Sequence, residues 1–462
     1  MTSANPASFR QPPNSYAHHA EALMRLAAPV ILSRTGVVAI SVVDLAMVSY
    51  FSTQAVAELA AAQQILMFLI VLGLGLLMGT LVLTAQAFGA GDHHRAGRVW
   101  RRSLPYAAVI GAMAALASIS GPFLFTAAGV EPTLIPGAAR AMIAYGLGMP
   151  GHFIAIACAF FLEGINRPLW VSASIVLANI LNLVLNAVFI FGALGLPGLG
   201  ATGAALATSL VRWALAGLLV WRIWTLDDHA RFGIRVKDRQ DAAGWRKQRQ
   251  LGYAAGASLG AEVAGFSALG VIAGRLGIVE MATYGLVFQV QSVAFMLASG
   301  LGTATTVRVG MALAAGGGHD ARRAAWTGLG LCLACLAVVA LGYVTVPEAI
   351  LTVFGGDTVI IATALPVMGI AGAALLVDGS QFLLSNALRG YGETWAPTLI
   401  QGLAFLGVMI PLALWLTEGV GLGLVGLFLA VAGGCGLSVA LQGARMVYLG
   451  NAAARLPQLR AH

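Results

Sequence analysis

The sequence predicts an all-α membrane protein of about twelve transmembrane helices, set as two six-helix bundles related by pseudo-two-fold symmetry. Three observations carry this. The 462 residues are 59% hydrophobic and only 10% charged, with a mean hydropathy of +0.86, whereas a soluble domain carries about 25% charged residues. Twelve apolar stretches recur along the chain, each long enough to cross a hydrocarbon core of roughly 30 Å. The later six stretches repeat features of the first six.

Residues 1–22 open with MTSANPASFRQPPNSYAHHA and read as a polar N-terminal tail. The apolar stretch that follows is too long for the h-region of a cleavable leader. An N-terminal lobe covers 23–226, with spans near 23–50, 56–86, 104–128, 137–163, 168–193 and 200–224. The stretch DDHARFGIRVKDRQDAAGWRKQRQ is too charged to cross a bilayer, so 227–249 reads as a cytoplasmic linker. A C-terminal lobe covers 250–447, with spans near 250–276, 281–313, 324–347, 358–388, 396–417 and 420–446, and 448–462 reads as a C-terminal tail.

Alternate loops hold the basic residues: Arg95, Arg98, Arg101 and Arg102, then Arg167, the linker, Arg322 and Arg323, and Arg389. The intervening loops carry Glu131, Glu348, Asp357 and Glu418. The basic side is therefore expected to face the cytoplasm, with both termini there. This rule also accounts for the net charge of +8, so no nucleic-acid partner is inferred. All four cysteines lie in apolar segments. Cys332 and Cys335 have no second ligand pair and read as two small helix residues.

The halves resemble each other. VAELAAAQQI (56–65) parallels VEMATYGLVF (279–288), AFGAGDHHRAGR (87–98) parallels AAGGGHDARRAA (314–325), and FFLEGINRPLW (160–170) parallels SNALRGYGETW (385–395). Six spans per half is an even number, so both copies enter the membrane in the same sense. Parallel repeats of this kind are a common transporter plan, with the site between the halves.

Asp44, Glu262 and Asp378 each stand alone in a run that otherwise reads as membrane helix. An unpaired carboxylate in hydrocarbon costs about 2.5–3.5 kcal/mol on insertion scales. A small cation or a proton can neutralise it, which points to ion-coupled transport. Glu262 and Asp378 are expected at similar depth, roughly 20 and 15 Å from the basic side at 1.5 Å per residue. Two neighbouring carboxylates cannot both ionise cheaply, so the pair is a candidate for a proton or for Na⁺. No arginine is expected at matching depth. Asn182 and Asn186 are spaced i, i+4 and share a face of the fifth span. With Asp44 they form a candidate cation or proton site in the N-terminal half, to which Thr202 or Thr208 adds a hydroxyl. Interhelical hydrogen bonding is the alternative role for these amides. Pro29 permits a bend in the first span, as a hinge for Asp44 or as a static kink. Gln289 and Gln291 either line a cavity or bond across helices. Glu163 and Arg167, also i, i+4, read as a local pair at a helix end.

No phosphate loop, nucleophile elbow or zinc-ligand spacing is present in the sequence, so no catalytic residue and no cofactor beyond a coupling ion is inferred.

Several segments together resemble the multidrug and toxic compound extrusion (MATE) family, in its NorM-like bacterial branch. In the first half they are VVDLAMVSYFSTQAVAELAAAQQ around Asp44, TAQAFGAGD (84–92) and PLWVSASIVLANILNLVLNAVFIFGALGLPGLGATGAALAT (168–208). In the second they are LGAEVAGFSALGVIAGRLG around Glu262, SVAFMLASGLGTATTVRVG (292–310) and LLVDGSQFLLSNALRGYGET around Asp378. The resemblance implies two six-helix bundles around a central cleft. It implies alternating-access export of organic, often cationic and amphipathic drugs in exchange for Na⁺ or H⁺. It associates Glu262 and Asp378 with a C-lobe cation site, and Asp44, Asn182 and Asn186 with an N-lobe proton or Na⁺ site. Where relatives often show an A-x-Q-I-like stretch, this chain has MATYGLVFQVQ (281–291), and the family's N-lobe threonine corresponds to Thr202 or Thr208. The implied setting is a bacterial inner membrane, with a monomer meeting small organic cations and membrane lipids. A flippase for lipid-linked precursors is the alternative from a related branch. That activity expects several cavity arginines, where this chain offers only Arg34 and Arg212 within or near spans.

Overall fold

The computed structural model describes residues 16–192, 197–236 and 242–459, without the side chains of 17 and 453–459. Parts of the expected N-terminal tail (1–15), linker (237–241) and C-terminal tail (460–462) lie outside the described residues, as do 193–196.

The first lobe comprises α1 (Tyr16–Ser49), α2 (Thr53–Gly89), α3 (His93–Ile119), the short α4 (Gly121–Ala127), α5 (Ile135–Leu147), α6 (Met149–Gly164), α7 (Leu169–Phe191) and α8 (Gly200–Trp224). The second comprises α9 (Ala242–Leu276), α10 (Ile278–Ala314), α11 (Gly318–Thr345), the short α12 (Pro347–Val353), α13 (Thr358–Gly390), α14 (Trp395–Gly402), α15 (Ile410–Leu414) and α16 (Gly423–Leu459). Among the described residues there is no strand. Helices satisfy their own backbone groups, as a span in lipid must. Eleven helices are long and apolar enough to cross a membrane, and α5 with α6, bent by 43°, makes a twelfth. The twelve-span expectation therefore holds. The bend falls where Gly148 and Pro150 interrupt the ladder. The eleventh span has its own irregularity: π-helical turns at Leu403–Met409 and Trp415–Gly419 flank α15, which carries Pro411 near its start.

Helices run beyond the apolar stretches. Helix α1 already begins at Tyr16, α9 opens at Ala242 within the charged stretch read as linker, and α16 continues to Leu459. Polar residues such as Arg, Lys and Gln are good helix formers, so hydropathy marks where the bilayer ends and not where the helix ends. Side-chain caps fix other starts: Ser52 accepts from Ala55 N, Asp92 from Arg95 N and Asp357 from Ile360 N.

Helix α7 shows how the pattern sorts faces. Ala178, Asn182 and Asn186 are buried, while Leu177, Ile180, Leu183 and Val184 are exposed on the opposite face, as lipid-facing residues should be.

Within the first lobe α1 packs on α7, and α8 on α5, α6 and α7; within the second, α13 packs on α10, α11 and α16. Between lobes α1 meets α10, and α2 meets both α9 and α10, so each lobe's first helix crosses to the other lobe's second. The close approaches lie from mid-span toward the end that carries Arg95 and Arg98. A Cβ on Gly79 would stand 2.2 Å from the Gln248 carbonyl oxygen, and one on Gly252 2.0 Å from that of Leu76. Only glycine permits backbones this near. At the same level Gln248 Nε2 donates to Thr80 Oγ1 (3.1 Å) and Ser103 Oγ (2.7 Å), and nearer the end of α2 Gln86 Nε2 donates to the Gly390 carbonyl (3.3 Å).

Candidate ion-coupling sites

Asp44 is fully buried, five residues before the end of α1. Four neutral donors converge on it. Asn182 and Asn186 donate Nδ2 to Oδ1 at 3.0 and 2.8 Å. Thr208 and Tyr145 donate hydroxyls to Oδ2 at 2.6 and 3.1 Å. Helices α1, α5, α7 and α8 each supply part of the cluster. The 3.6-residue turn explains why Asn182 and Asn186 arrive together, and Asn186 Nδ2 also donates to Asn182 Oδ1 (3.2 Å). Of the two threonines, Thr208 belongs to the cluster; Thr202 sits six residues earlier on α8, half-buried. The Asn186 carbonyl oxygen is buried with no hydrogen-bond partner, so a hard-cation ligand is in place beside the carboxylate.

The sequence reading missed Tyr145 and Gln63. Tyr145 receives a bond from Gln63 Nε2 (2.9 Å) and passes its own to Asp44, so a polar chain runs from α2 to the carboxylate. Arg212 stacks over the Tyr145 ring, its carbon 5.3 Å from the centroid.

Glu262 lies on α9 and Asp378 on α13, within electrostatic range of each other. Glu262 is 8% exposed and its Oε2 has no hydrogen-bond partner. Asp378, half-buried, accepts from Gln381 Nε2 (3.2 Å) and from Cys435 Sγ (3.6 Å). Gln401 Nε2 holds Gln381 through its carbonyl at 2.7 Å. The two acids thus lie within electrostatic range of each other, and a buried carboxylate oxygen of Glu262 is left unsatisfied. Such a group is normally paired with something, and a small cation or a proton meets that need.

A family model for MatE matches residues 29–188 and again 256–415. The chain belongs to the MatE family. The second match starts in α9 at the place equivalent to the start of the first in α1, which confirms the internal repeat. The probable multidrug resistance protein NorM of Caulobacter vibrioides is 34% identical over 414 residues, covering 88% of this chain and 87% of that protein. Multidrug resistance protein NorM of Burkholderia vietnamiensis is 30% identical over 433 residues, 91% and 92% of the two chains. The fold matches a eukaryotic MATE transporter, AtDTX14, with a TM-score of 0.86 at 18% identity, covering 95% and 98%. An outward-facing MATE family transporter of the MOP superfamily matches at 0.88, also 18% identical, covering 98% and 100%. This MatE protein is thus a multi-pass membrane transporter and not an enzyme.

Other expectations need correction within this MatE scaffold. Arg389, read as a loop residue, is 3% exposed in the last turn of α13 and lies in attractive range of Glu262. It donates to Ser258 Oγ at 2.9 Å, one turn from Glu262 on α9. An arginine therefore does approach Glu262; its position at the end of an apolar run hid it. Glu163 and Arg167 are not a pair. Glu163 is fully buried and meets Arg34 at 3.3 Å, while Arg167 makes a two-pronged bond to Asp228 at 2.9 and 2.7 Å. Spacing along a helix lost to partners brought in from other helices. Gln291 Nε2 donates to the Ala371 carbonyl (2.8 Å) and ties α10 to α13, and Gln289 is exposed. Pro29 stays inside continuous α1, and its carbonyl accepts from Ser172 Oγ at 2.5 Å.

Proposed function

We propose that this protein is a secondary antiporter that exports organic, often cationic and amphipathic, drugs across a bacterial inner membrane in exchange for Na⁺ or H⁺. The observation that carries this reading is the buried, unsatisfied carboxylate oxygen of Glu262 in the C-terminal lobe, with a second membrane carboxylate, Asp378, within electrostatic range. Among the described residues neither acid is in ion-pair contact with a lysine or arginine. Asp44, held by neutral donors alone, forms the second coupling site with Asn182, Asn186 and Thr208.

The basic end faces the cytoplasm by the positive-inside rule, with both termini there. Lobe contacts from mid-span to that end then close the cytoplasmic side, so the state described is read as the outward-facing one. Ion entry from outside neutralises the acids, favours the opposite state and disfavours a bound cationic drug. By linkage the drug weakens ion binding by the same factor. The names of the NorM relatives, multidrug resistance proteins, support drugs as the cargo. Lipid-precursor flipping fits less well, because Arg34 is occupied by Glu163 and Arg212 stacks on Tyr145.

The test is ethidium efflux from proteoliposomes under separately imposed Na⁺ and pH gradients. Efflux that follows one gradient supports antiport and names the ion. Efflux indifferent to both overturns it.

A further inference from the structure

Four charges occupy matching places in the two repeats with their signs exchanged. Taking the family matches from 29 and from 256, Arg34 and Glu262 fall within one residue of equivalent positions on each lobe's first helix. Glu163 and Arg389 do the same on the fourth span of each lobe, in the aligned triplets Leu162-Glu163-Gly164 and Leu388-Arg389-Gly390. The first lobe carries base on helix one and acid on span four; the second carries acid on helix one and base on span four.

The two pairs differ in state. Arg34 and Glu163 are in contact at 3.3 Å. Arg389 and Glu262 attract each other but are not among the ion pairs of the described residues. Arg389 rests instead on Ser258 Oγ at 2.9 Å. Ser258 lies one helical turn from Glu262 on the same helix, so a side-chain swing of about one turn's rise, 5–6 Å, takes the guanidinium to the carboxylate. Glu262 Oε2, buried and without a hydrogen-bond partner, is a ready acceptor. The other polar groups facing Glu262 are Asp378 and Gln381 from α13 and Cys435 from α16.

We propose that Arg389 is a tethered counter-cation that replaces the coupling ion on Glu262 in the state opposite to this one, with Ser258 as its resting partner. The proposal rests on the antiport reading above and adds how the ion is expelled: a cation that cannot leave displaces one that can. Arg389 is a positioning residue, acting through Glu262. A guanidinium keeps its charge at any physiological pH, so it competes equally with a proton or with Na⁺.

The experiment measures displacement of ethidium from purified protein in nanodiscs, across a Na⁺ series and a pH series, and ethidium efflux from proteoliposomes. Arg389→Gln removes the competitor. The ion concentration for half-displacement falls about tenfold, the scale of a unit charge about 3 Å away at the dielectric of water, while efflux slows because the ion is held. Arg389→Lys restores most of both. Ser258→Ala frees Arg389 toward Glu262 and raises the half-displacement concentration several-fold, a shift opposite in sign that no general loss of structure produces. An unchanged ion dependence in Arg389→Gln, equal defects in the Lys and Gln variants, or a Ser258→Ala shift in the same direction as Arg389→Gln each overturns the proposal. If ion-driven efflux in the unaltered protein persists and Glu262→Gln abolishes it, such a result removes only the role of Arg389. If the unaltered protein shows no ion-driven efflux, the antiport reading fails and this proposal with it.

Discussion

The Thr208 hydroxyl lies 2.6 Å from Asp44 Oδ2, the shortest of the four hydrogen bonds that converge on that carboxylate. A hydrogen bond to a charged group contributes about 1.5–3 kcal/mol. Thr208→Val keeps the shape of the side chain and deletes this bond. It is expected to lower ethidium efflux several-fold and to lower the unfolding midpoint in detergent, whereas Thr202→Val changes neither. Equal effects at the two threonines are the result that contradicts the cluster.

Asp378→Asn and Glu262→Gln are expected to keep the fold and abolish coupled efflux. Each substitution preserves volume and hydrogen-bonding capacity while removing the exchangeable charge. Efflux at the unaltered rate from either variant, in liposomes with an imposed gradient, rules out the C-lobe assignment.

Arg34→Ala leaves Glu163 buried without its cation. Removing one partner of a buried pair typically costs about 3–5 kcal/mol. Glu163→Gln is expected to be milder, because Arg34 retains some exposure and the ring of Phe160 lies 5.6 Å from its guanidinium carbon. Equilibrium unfolding of both variants checks the asymmetry, and a milder Arg34→Ala contradicts it.

Gly79→Leu and Gly252→Leu place a side chain against a backbone carbonyl of the opposite lobe. Neither carbonyl can rotate away without breaking its helix, so the lobes must separate at the basic end. Spin labels at that end of α2 and α9 are expected to show longer distances in both variants. An unchanged distance distribution means that these approaches do not hold the lobes together.

The Asp44 cluster was largely legible because a helix face imposes i, i+4 spacing, and polar residues at that spacing in an apolar run stand out. Tyr145 and Gln63 were not, since tyrosine and glutamine occur in spans for many reasons and nothing in the chain links them to a helix 82 or 101 residues away. Composition also assigned Arg389 to a loop. It sits one residue before the end of α13, where hydropathy cannot separate a solvated arginine from one folded back into the bundle. Charge spacing misled at Glu163 for the converse reason. A partner four residues away was visible, and the one 129 residues away was not. The spans themselves followed from apolar length, whose requirement in a bilayer is nearly independent of tertiary context.

The irregular spans sit at non-equivalent places in the repeat: the fourth span of one lobe is bent at Gly148, while the eleventh, counterpart of uninterrupted α7, carries the π-helical turns around Pro411. A backbone whose hydrogen-bond ladder is already interrupted yields to load more readily than an intact one. The compliance of the two halves is therefore placed differently, and a stroke that flexes one need not be mirrored by its twin.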